Sequence, residues 1–380
     1  MRPKWVLQIL LALLCSLTVM AGGCRRDRTI KIGTIQPISG QIAAYGSQTR
    51  DAIVMAVDEI NAQGGVLGKR LKLMVEDDEN NPEKTMNAFI KLTAKDRVVG
   101  IIGALTSKCS LAIAQDAQAR QVVLISPAST NDTLTTAGDY IFRACYQDSF
   151  QGRVCAQFAV NTLRATRAAI LFDITNDYSK GLMRNFQKKF TTLGGKVTGC
   201  ESYSTGDKDF NAQLTKIKAT RPEVLFLPDY YSTVALIAKQ ARSQGITIPL
   251  LGSDGWDEIV NNAGAEVVDC YYSNHYSPED VDPDVQAFVR KFKTRYRLTP
   301  NALAALGYDA AHLLVEAIKK AGTVEPEPLK TALFQTNRKF VTGRIKFDAT
   351  GNPVKSAVML KIIKDSTGKL KTEYAGTVNP

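Results

Sequence analysis

From Thr29 onward the chain alternates β-rich runs with amphipathic helical segments for about 250 residues, which restricts the fold more than any single motif does. Residues 29–35 read as a strand. Residues 47–63 follow as a helix, with Ile53, Ala56, Val57 and Ile60 on one face and Gly64-Gly65 as its stop. The pattern then predicts a strand over 70–75, a helix over 82–95, a buried strand over 98–102, a helix over 107–120 and a buried strand over 122–125. A second half repeats the plan, with strands over 168–172, 196–203, 223–227 and 248–251 and helices over 178–193, 210–219 and 231–244. Such alternation places parallel strands between two helical layers, so the fold class read here is α/β, as two doubly wound parallel-sheet lobes. Helices near 284–297 and 302–321 come next. Runs over 340–347 and 357–363 then alternate like antiparallel strands around Asp348-Ala-Thr-Gly-Asn352. These last elements are expected to complete both lobes, with crossings near 145, 275 and 353. The N-terminal lobe is then 29–145 plus 275–352, and the C-terminal lobe 146–274 plus 353–380. Three crossings make a hinge, and a hinge leaves a cleft.

The first residues stand outside this pattern. Arg2 and Lys4 precede an apolar stretch over 5–20, and the small residues Ala21, Gly22 and Gly23 lead into Cys24. That is the layout of an export signal over 1–23, too short in its apolar part for the ~20 residues of a membrane span. Small residues directly before a cysteine are similar to a bacterial lipobox, which implies lipidation at Cys24 and a membrane-surface anchor. The alternative is an ordinary secretory peptide with an incidental cysteine. Beyond Cys24 the chain keeps Cys109, Cys145, Cys155, Cys200 and Cys270, an odd number, so at least one thiol is free or pairs between molecules.

Composition excludes several functions. The chain is 44% hydrophobic and 22% charged, enough apolar material for a core, which excludes a disordered chain. Its net charge of +11 is scattered, and without a basic helical motif it gives no support to nucleic-acid binding. Two distant histidines, His275 and His312, and no CxxC pair argue against metal and redox centres. Gly64 to Lys69 has neither the spacing nor the Ser/Thr of a phosphate loop, and no GxGxxG, GxSxG or HExxH occurs. Asp77-Asp78-Glu79 reads as a solvated loop after a strand. No enzyme activity, cofactor or metal is called.

Two loops carry more. Gly103-Ala-Leu-Thr-Ser107 and Ser126-Pro-Ala-Ser-Thr-Asn131 follow adjacent predicted strands, at the end of an open sheet where ligands bind. Both offer hydroxyls and backbone N–H groups beside a helix N-terminus, which suits a carboxylate or phosphate. Ser107 and Thr130 serve either such an anion or merely as cap and turn residues. In the second half, 173–178, 229–231 and Ser253-Asp-Gly-Trp256 also follow strands. Asp254 either faces the anion site, which suits a zwitterion, or caps a helix beginning near Trp256.

Taken in order, Ile32-Gly-Thr-Ile-Gln-Pro-Ile-Ser-Gly40, Tyr45-Gly46, Asn61-Ala-Gln-Gly-Gly65, Ser126–Asn131, Asp177-Tyr-Ser-Lys-Gly181, residues 206–210, Lys239-Gln-Ala-Arg242, Gly252–Trp256 and Leu306-Gly-Tyr-Asp309 make a recognisable series. Over essentially the whole mature chain the sequence resembles the periplasmic leucine/isoleucine/valine-binding proteins that feed ABC importers. The resemblance implies a type I periplasmic-binding-protein fold that closes on an amino acid without covalent chemistry. It implies that Ser107, Ser129 and Thr130, with neighbouring backbone N–H groups, hold the ligand carboxylate. The Ala128 carbonyl, Thr130, Tyr178 and Asp254 would hold the ammonium, and Tyr45, Leu105, Thr106, Tyr230 and Leu303 would surround the side chain. Asp254 stands where well-known members carry Glu, Leu303 where many carry an aromatic residue, and Asn80 and Thr106 replace a cysteine pair that some members bridge. The implied partners are an amino acid, permease subunits and, through Cys24, a membrane, for a monomeric exported protein. Competing readings are a sensor of the same fold, a binder of an amide or small carboxylate, and a hydrolase using Asp77 or Asp254. A sugar-responsive repressor of related fold would carry a helix-turn-helix where the export signal stands.

Overall fold

The computed structural model describes residues 29–379. The export signal over 1–23 and Cys24 lie outside the described residues. The first elements are β1 (Thr29–Gln36), α1 (Ala43–Ala62), β2 (Arg70–Asp77), α2 (Pro82–Ile90), β3 (Gly100–Ile102), α3 (Ser107–Ala119), β4 (Val123–Ser126) and β5 (Ile141–Arg143). Their strands make an all-parallel sheet in the order β2-β1-β3-β4-β5. β3, β4 and β5 are buried throughout, as expected of strands covered on both faces. The order reverses at β1, and beyond the carboxyl ends of the strands this opens a crevice.

Next come α4 (Asp148–Asn161), β6 (Arg167–Asp173), α5 (Asp177–Thr192), β7 (Lys196–Tyr203), α6 (Asn211–Ala219), β8 (Val224–Leu227), α7 (Tyr231–Ser243), β9 (Leu250–Gly252), the short α8 (Ile259–Asn262) and β10 (Tyr271–Asn274). After α9 (Pro283–Tyr296), α10 (Ala302–Ala321) and α11 (Pro326–Phe334), the hairpin β11 (Asn337–Phe340) and β12 (Gly343–Lys346) precedes β13 (Ala357–Lys364) and β14 (Leu370–Val378). The second sheet runs β14-β13-β10-β9-β8-β6-β7, parallel from β10 to β7 and antiparallel at β13 and β14. α10 returns to the first sheet: Leu306, Ala310, Leu314 and Ile318 share a core with Ile53, Ala56 and Val57 of α1 and with Ile32 and Val123. Gly307 lets the two helices meet closely, since a Cβ there would lie 2.7 Å from Thr49 Cγ2. In the second sheet Phe226 of β8 stacks on Phe186 of α5, ring centroids 4.2 Å apart.

The α/β class and the alternation of both halves match the sequence reading. Four differences have local causes. α1 begins at Ala43 rather than 47, because no capping side chain marks its start. The helix expected over 82–95 is α-helical only to Ile90 and widens into a π-helix over Lys91–Asp96. The runs over 340–347 and 357–363 do not pair: the first folds on itself as the β11–β12 hairpin, and β13 joins β10 and β14. β5, α4, β10, α11 and β14 were not anticipated, being short, weakly periodic or largely exposed. All five cysteines among the described residues are free thiols.

The segments at 144–146, 275–276 and 353–356 converge. The Tyr146 ring stacks on His275 at 3.9 Å, and the buried Lys355 donates from Nζ to the Ala144 carbonyl at 3.0 Å and to Thr342 Oγ1. Burial pushes the Lys355 ammonium down to about 8, opposed by the Asp309 charge. An unfolded lysine titrates near ~10.4, so between these values the unfolded chain holds a proton that the folded chain has released, and this group makes stability rise with pH. The urea-unfolding free energy of the wild type minus that of Lys355→Met is expected to climb by about 1 kcal/mol per pH unit from pH ~8 toward ~10. A difference flat over that range would contradict a buried, easily deprotonated Lys355.

Candidate ligand-binding site

A small cavity lies where loops from the carboxyl ends of both sheets meet, lined by Tyr45, Leu105, Thr106, Ser107, Ala128, Tyr178, Tyr230, Asp254, Gly255 and Leu303. Nine of the eleven cleft residues singled out in the sequence are among them; Ser129 and Thr130 are not.

On the first-sheet side, no side chain caps α3. Thr106 occupies the cap position with extended backbone, but its hydroxyl donates to Asn80 Oδ1 at 2.7 Å, and Ser107 Oγ accepts from the Asn131 amide at 3.3 Å. The capping expected of Ser107 is therefore absent, and the positive end of the helix dipole stands over the cavity without a side-chain acceptor. The 126–131 loop is braced from behind. Ser129 Oγ donates to the Leu105 carbonyl at 3.1 Å and lies 2.5 Å from Ser110 Oγ, so this hydroxyl points away from the cavity. The fully buried Arg143 donates to the Ser129 and Asn131 carbonyls at 2.9 and 2.8 Å. Thr130 Oγ1 is buried with no hydrogen-bond partner of good geometry.

On the second-sheet side, Asn176 caps α5 by accepting from the Tyr178 amide at 3.2 Å, which sets Tyr178 in the first turn. The Tyr178 ring lies parallel to Tyr230 at 5.2 Å, and Tyr45 meets Tyr230 edge-on at 6.2 Å. Tyr230 is fixed by Asp229, whose Oδ1 accepts from the Tyr230 amide at 2.7 Å and whose carboxyl burial pushes up to about 7. Asp254 does not cap. It opens a short 3-10 turn over Asp254–Trp256, with the α-helical turn beginning only at Ile259. Its Oδ1 accepts from Tyr178 Oη at 2.6 Å and from Gln151 Nε2 at 2.9 Å, and its Oδ2 from His275 Nε2 at 2.9 Å. Burial raises the Tyr178 phenol well above its ordinary range, with the Asp254 charge adding to the effect, so Tyr178 is a donor at neutral pH.

Gln151, His275 and Gly255 were not assigned from the sequence. A glutamine inside a helix carries no signal there, whereas the rarity of histidine was one that could have been followed. Gly255 donates its amide to Tyr178 Oη at 2.9 Å and offers its carbonyl to Tyr45 Oη. The two sides also touch around the cavity: Gln48 Nε2 and Asn301 Nδ2 reach Glu258 Oε1 at 2.7 and 2.9 Å, and the Ala302 amide reaches Asp257 Oδ2. The 77–79 carboxylates serve turns instead, Asp77 accepting from Ser39 Oγ at 2.6 Å and Asp78 from Thr85 Oγ1 at 3.0 Å.

With this geometry in view, residues 29–368 match the family model described as periplasmic binding protein. The chain belongs to that family. It is 32% identical over 362 residues, 94% of this chain and 96% of the relative, to Leu/Ile/Val-binding protein homolog 2 of Brucella abortus. The leucine-binding protein LivK of Thermotoga maritima is 34% identical with a TM-score of 0.87, covering 92% of this chain and 99% of its own. LivJ of Streptococcus pneumoniae, a branched-chain amino-acid transporter substrate-binding protein solved with isoleucine, is 34% identical with a TM-score of 0.85, covering 93% and 100%. As a member of the periplasmic binding protein family this chain is a substrate-binding protein of the ABC-transporter type, not an enzyme.

Gly255 admits a direct test of the packing. A Cβ there would lie 2.6 Å from the Asp229 carbonyl oxygen and 2.9 Å from Tyr178 Oη, and the first of these is backbone that cannot swing aside. Gly255→Ala is expected to destabilise the protein by about 1–3 kcal/mol in urea unfolding. Wild-type stability in this variant would mean that the 254–258 turn is looser than described.

Proposed function

We propose that this protein captures an aliphatic α-amino acid, branched-chain ligands first, and delivers it to the permease subunits of an ABC importer. The observation that carries this reading is the polarity of the cavity. The uncapped α3 terminus lies on one side and the buried Asp254 on the other, which suits carboxylate and ammonium of one zwitterion. Ser107 and the amides of the 128–130 loop take the carboxylate, with Thr130 and Ser129 shaping that loop. Asp254, Tyr178 and the Ala128 carbonyl take the ammonium. Tyr45, Leu105, Tyr230 and Leu303 enclose the side chain, and Thr106, whose hydroxyl is engaged by Asn80, offers its methyl.

The lobes in this reading are 29–145 plus 275–352 and 146–274 plus 353–380, joined where 144–146, 275–276 and 353–356 converge. A ligand held by both sides favours the closed arrangement by its differential affinity for it, and the permease reads that arrangement. Export through the 1–23 signal, lipidation at Cys24 and a monomeric state complete the proposal. An amide or small carboxylate is the second reading, and the buried Asp254 weighs against it, because a ligand without a cation leaves that charge unanswered.

The test is calorimetric titration of residues 25–380, unfolded and refolded to strip carried-over ligand, with leucine, isoleucine, valine, alanine, glutamate, an aliphatic amide and 2-hydroxy-4-methylpentanoate. Leucine, isoleucine or valine is expected to bind, and Asp254→Ala to weaken that binding on the order of a hundredfold. Binding of the amide or hydroxy acid with silence from every amino acid would overturn the reading.

A further inference from the structure

Asp254 is a buried carboxylate held by hydrogen-bond donors. It is 4% exposed, and it accepts three hydrogen bonds, from Gln151, Tyr178 and His275. Among the described residues the only basic side chain within ion-pairing distance is His275, at 2.9 Å from Oδ2. Everything therefore turns on the state of that ring.

The His275 side chain is fully buried, with its face stacked on Tyr146 and one nitrogen on Asp254. Burial pushes the imidazole below its ordinary range, more strongly than the adjacent carboxylate lifts it, and the buried Lys355 adds to the lowering. Nδ1 has no partner. A proton there would leave a buried N–H unsatisfied, which costs more than an unfilled lone pair. The tautomer this geometry assigns carries its proton on Nε2 and donates it to Asp254.

We infer that His275 is a positioning residue for the ligand ammonium, holding Asp254 aimed into the cavity without cancelling its charge. This rests on the amino-acid reading given above. A carboxylate offers about four lone-pair positions, and the three donors fill two on Oδ1 and one on Oδ2. The position left is on Oδ2, the oxygen that His275 holds. A lysine or arginine in its place would make an internal ion pair and consume the charge. An apolar residue would leave Oδ2 free to turn. A neutral histidine fixes the oxygen and leaves the negative charge for a cationic ligand group. The arrangement discriminates by charge: an amine-bearing ligand gains from it, and a hydroxy acid of the same shape does not. It also links recognition to movement, because His275 follows β10 directly and stacks on Tyr146 just before α4, in the segments where the chain passes between the two halves.

The experiment has two arms. Leucine and 2-hydroxy-4-methylpentanoate are titrated into the wild type, His275→Leu and His275→Gln at neutral pH. The leucine variant is expected to lose about tenfold or more in leucine affinity, with a much smaller change for the hydroxy acid. The glutamine variant, whose amide can donate to Oδ2, is expected to recover most of that loss. A His275→Leu protein that binds leucine within twofold of the wild type, or that loses both ligands equally, overturns the inference. The second arm needs no variant: ¹⁵N NMR of the wild-type ring is expected to show the neutral Nε2–H tautomer with and without leucine. An imidazolium or Nδ1–H tautomer overturns the inference by itself. Wild-type titrations silent for every amino acid sink the functional reading instead, and the NMR arm still reports separately on His275.

Discussion

A carboxylate buried with hydrogen bonds but, among the described residues, no fixed counter-charge sets the terms for the rest of the cleft. Removing an anion from water costs several kcal/mol unless donors replace its hydration. Three donors do so at Asp254, and each comes from a different element: Gln151 from α4, Tyr178 from α5, His275 from the end of β10. The turn that carries Asp254 is held as firmly. Gly255 must lack a side chain to lie against Asp229 and Tyr178, and Trp256 is buried beneath, donating its indole N–H to the Leu227 carbonyl at 2.9 Å. Asp257 and Glu258, the next acidic residues, point away from the cavity and bind groups at the starts of α10 and α1. One short acidic turn thus both presents a charge to the cavity and ties the two halves together.

The opposite wall works by partial charges. Helix α3 contributes its free amide end, and Ser107 and Thr106, which could have capped it, are engaged elsewhere. Behind the 126–131 loop the buried guanidinium of Arg143 holds two carbonyls on the side away from the cavity, so the front of the loop is set without a hydroxyl having to do it. The Asp148 carboxyl, also fully buried, is pushed well above its ordinary range, chiefly by burial. Across the cavity the uncapped α3 terminus thus faces the buried Asp254 carboxylate.

Much of this could be read from the sequence because it follows from periodicity. The buried strands and amphipathic helices of both halves gave the α/β class, and the rule that ligands sit beyond strand carboxyl ends led to Ser107, Asp254 and the 126–131 loop. Resemblance supplied roles that spacing alone left open. What stayed hidden depends on long-range contact. Ser129 looks like a ligand hydroxyl in sequence, yet its partners Leu105 and Ser110 lie 24 and 19 residues away and turn it inward. Gln151 reaches Asp254 across 103 residues. The run over 357–363 is the antiparallel strand expected, but its partners β10 and β14 and the β11–β12 hairpin within 337–346 were not legible, because alternation specifies a strand but not its partner.

Beside the apolar contact of Tyr45 with Tyr231, ring centroids 4.8 Å apart in a core cluster that draws on both halves, polar contacts bridge the halves: Gln48 and Asn301 on Glu258, Asn131 Nδ2 on the Asp177 carbonyl at 3.3 Å, Tyr231 Oη on the Gln41 carbonyl at 3.3 Å. Each exchanges a bond to water for one to protein, so each contributes only about 0.5–1.5 kcal/mol net, and those to charged groups somewhat more. Such contacts can register closure without enforcing it. In the proposed function the strong term lies at the centre, where a cation met by Asp254 and an anion met by α3 are satisfied together only when both walls are close. In that proposal the polar contacts around the cavity and the buried carboxylate act together: the contacts register closure, and the charge lets a ligand of the right polarity favour it.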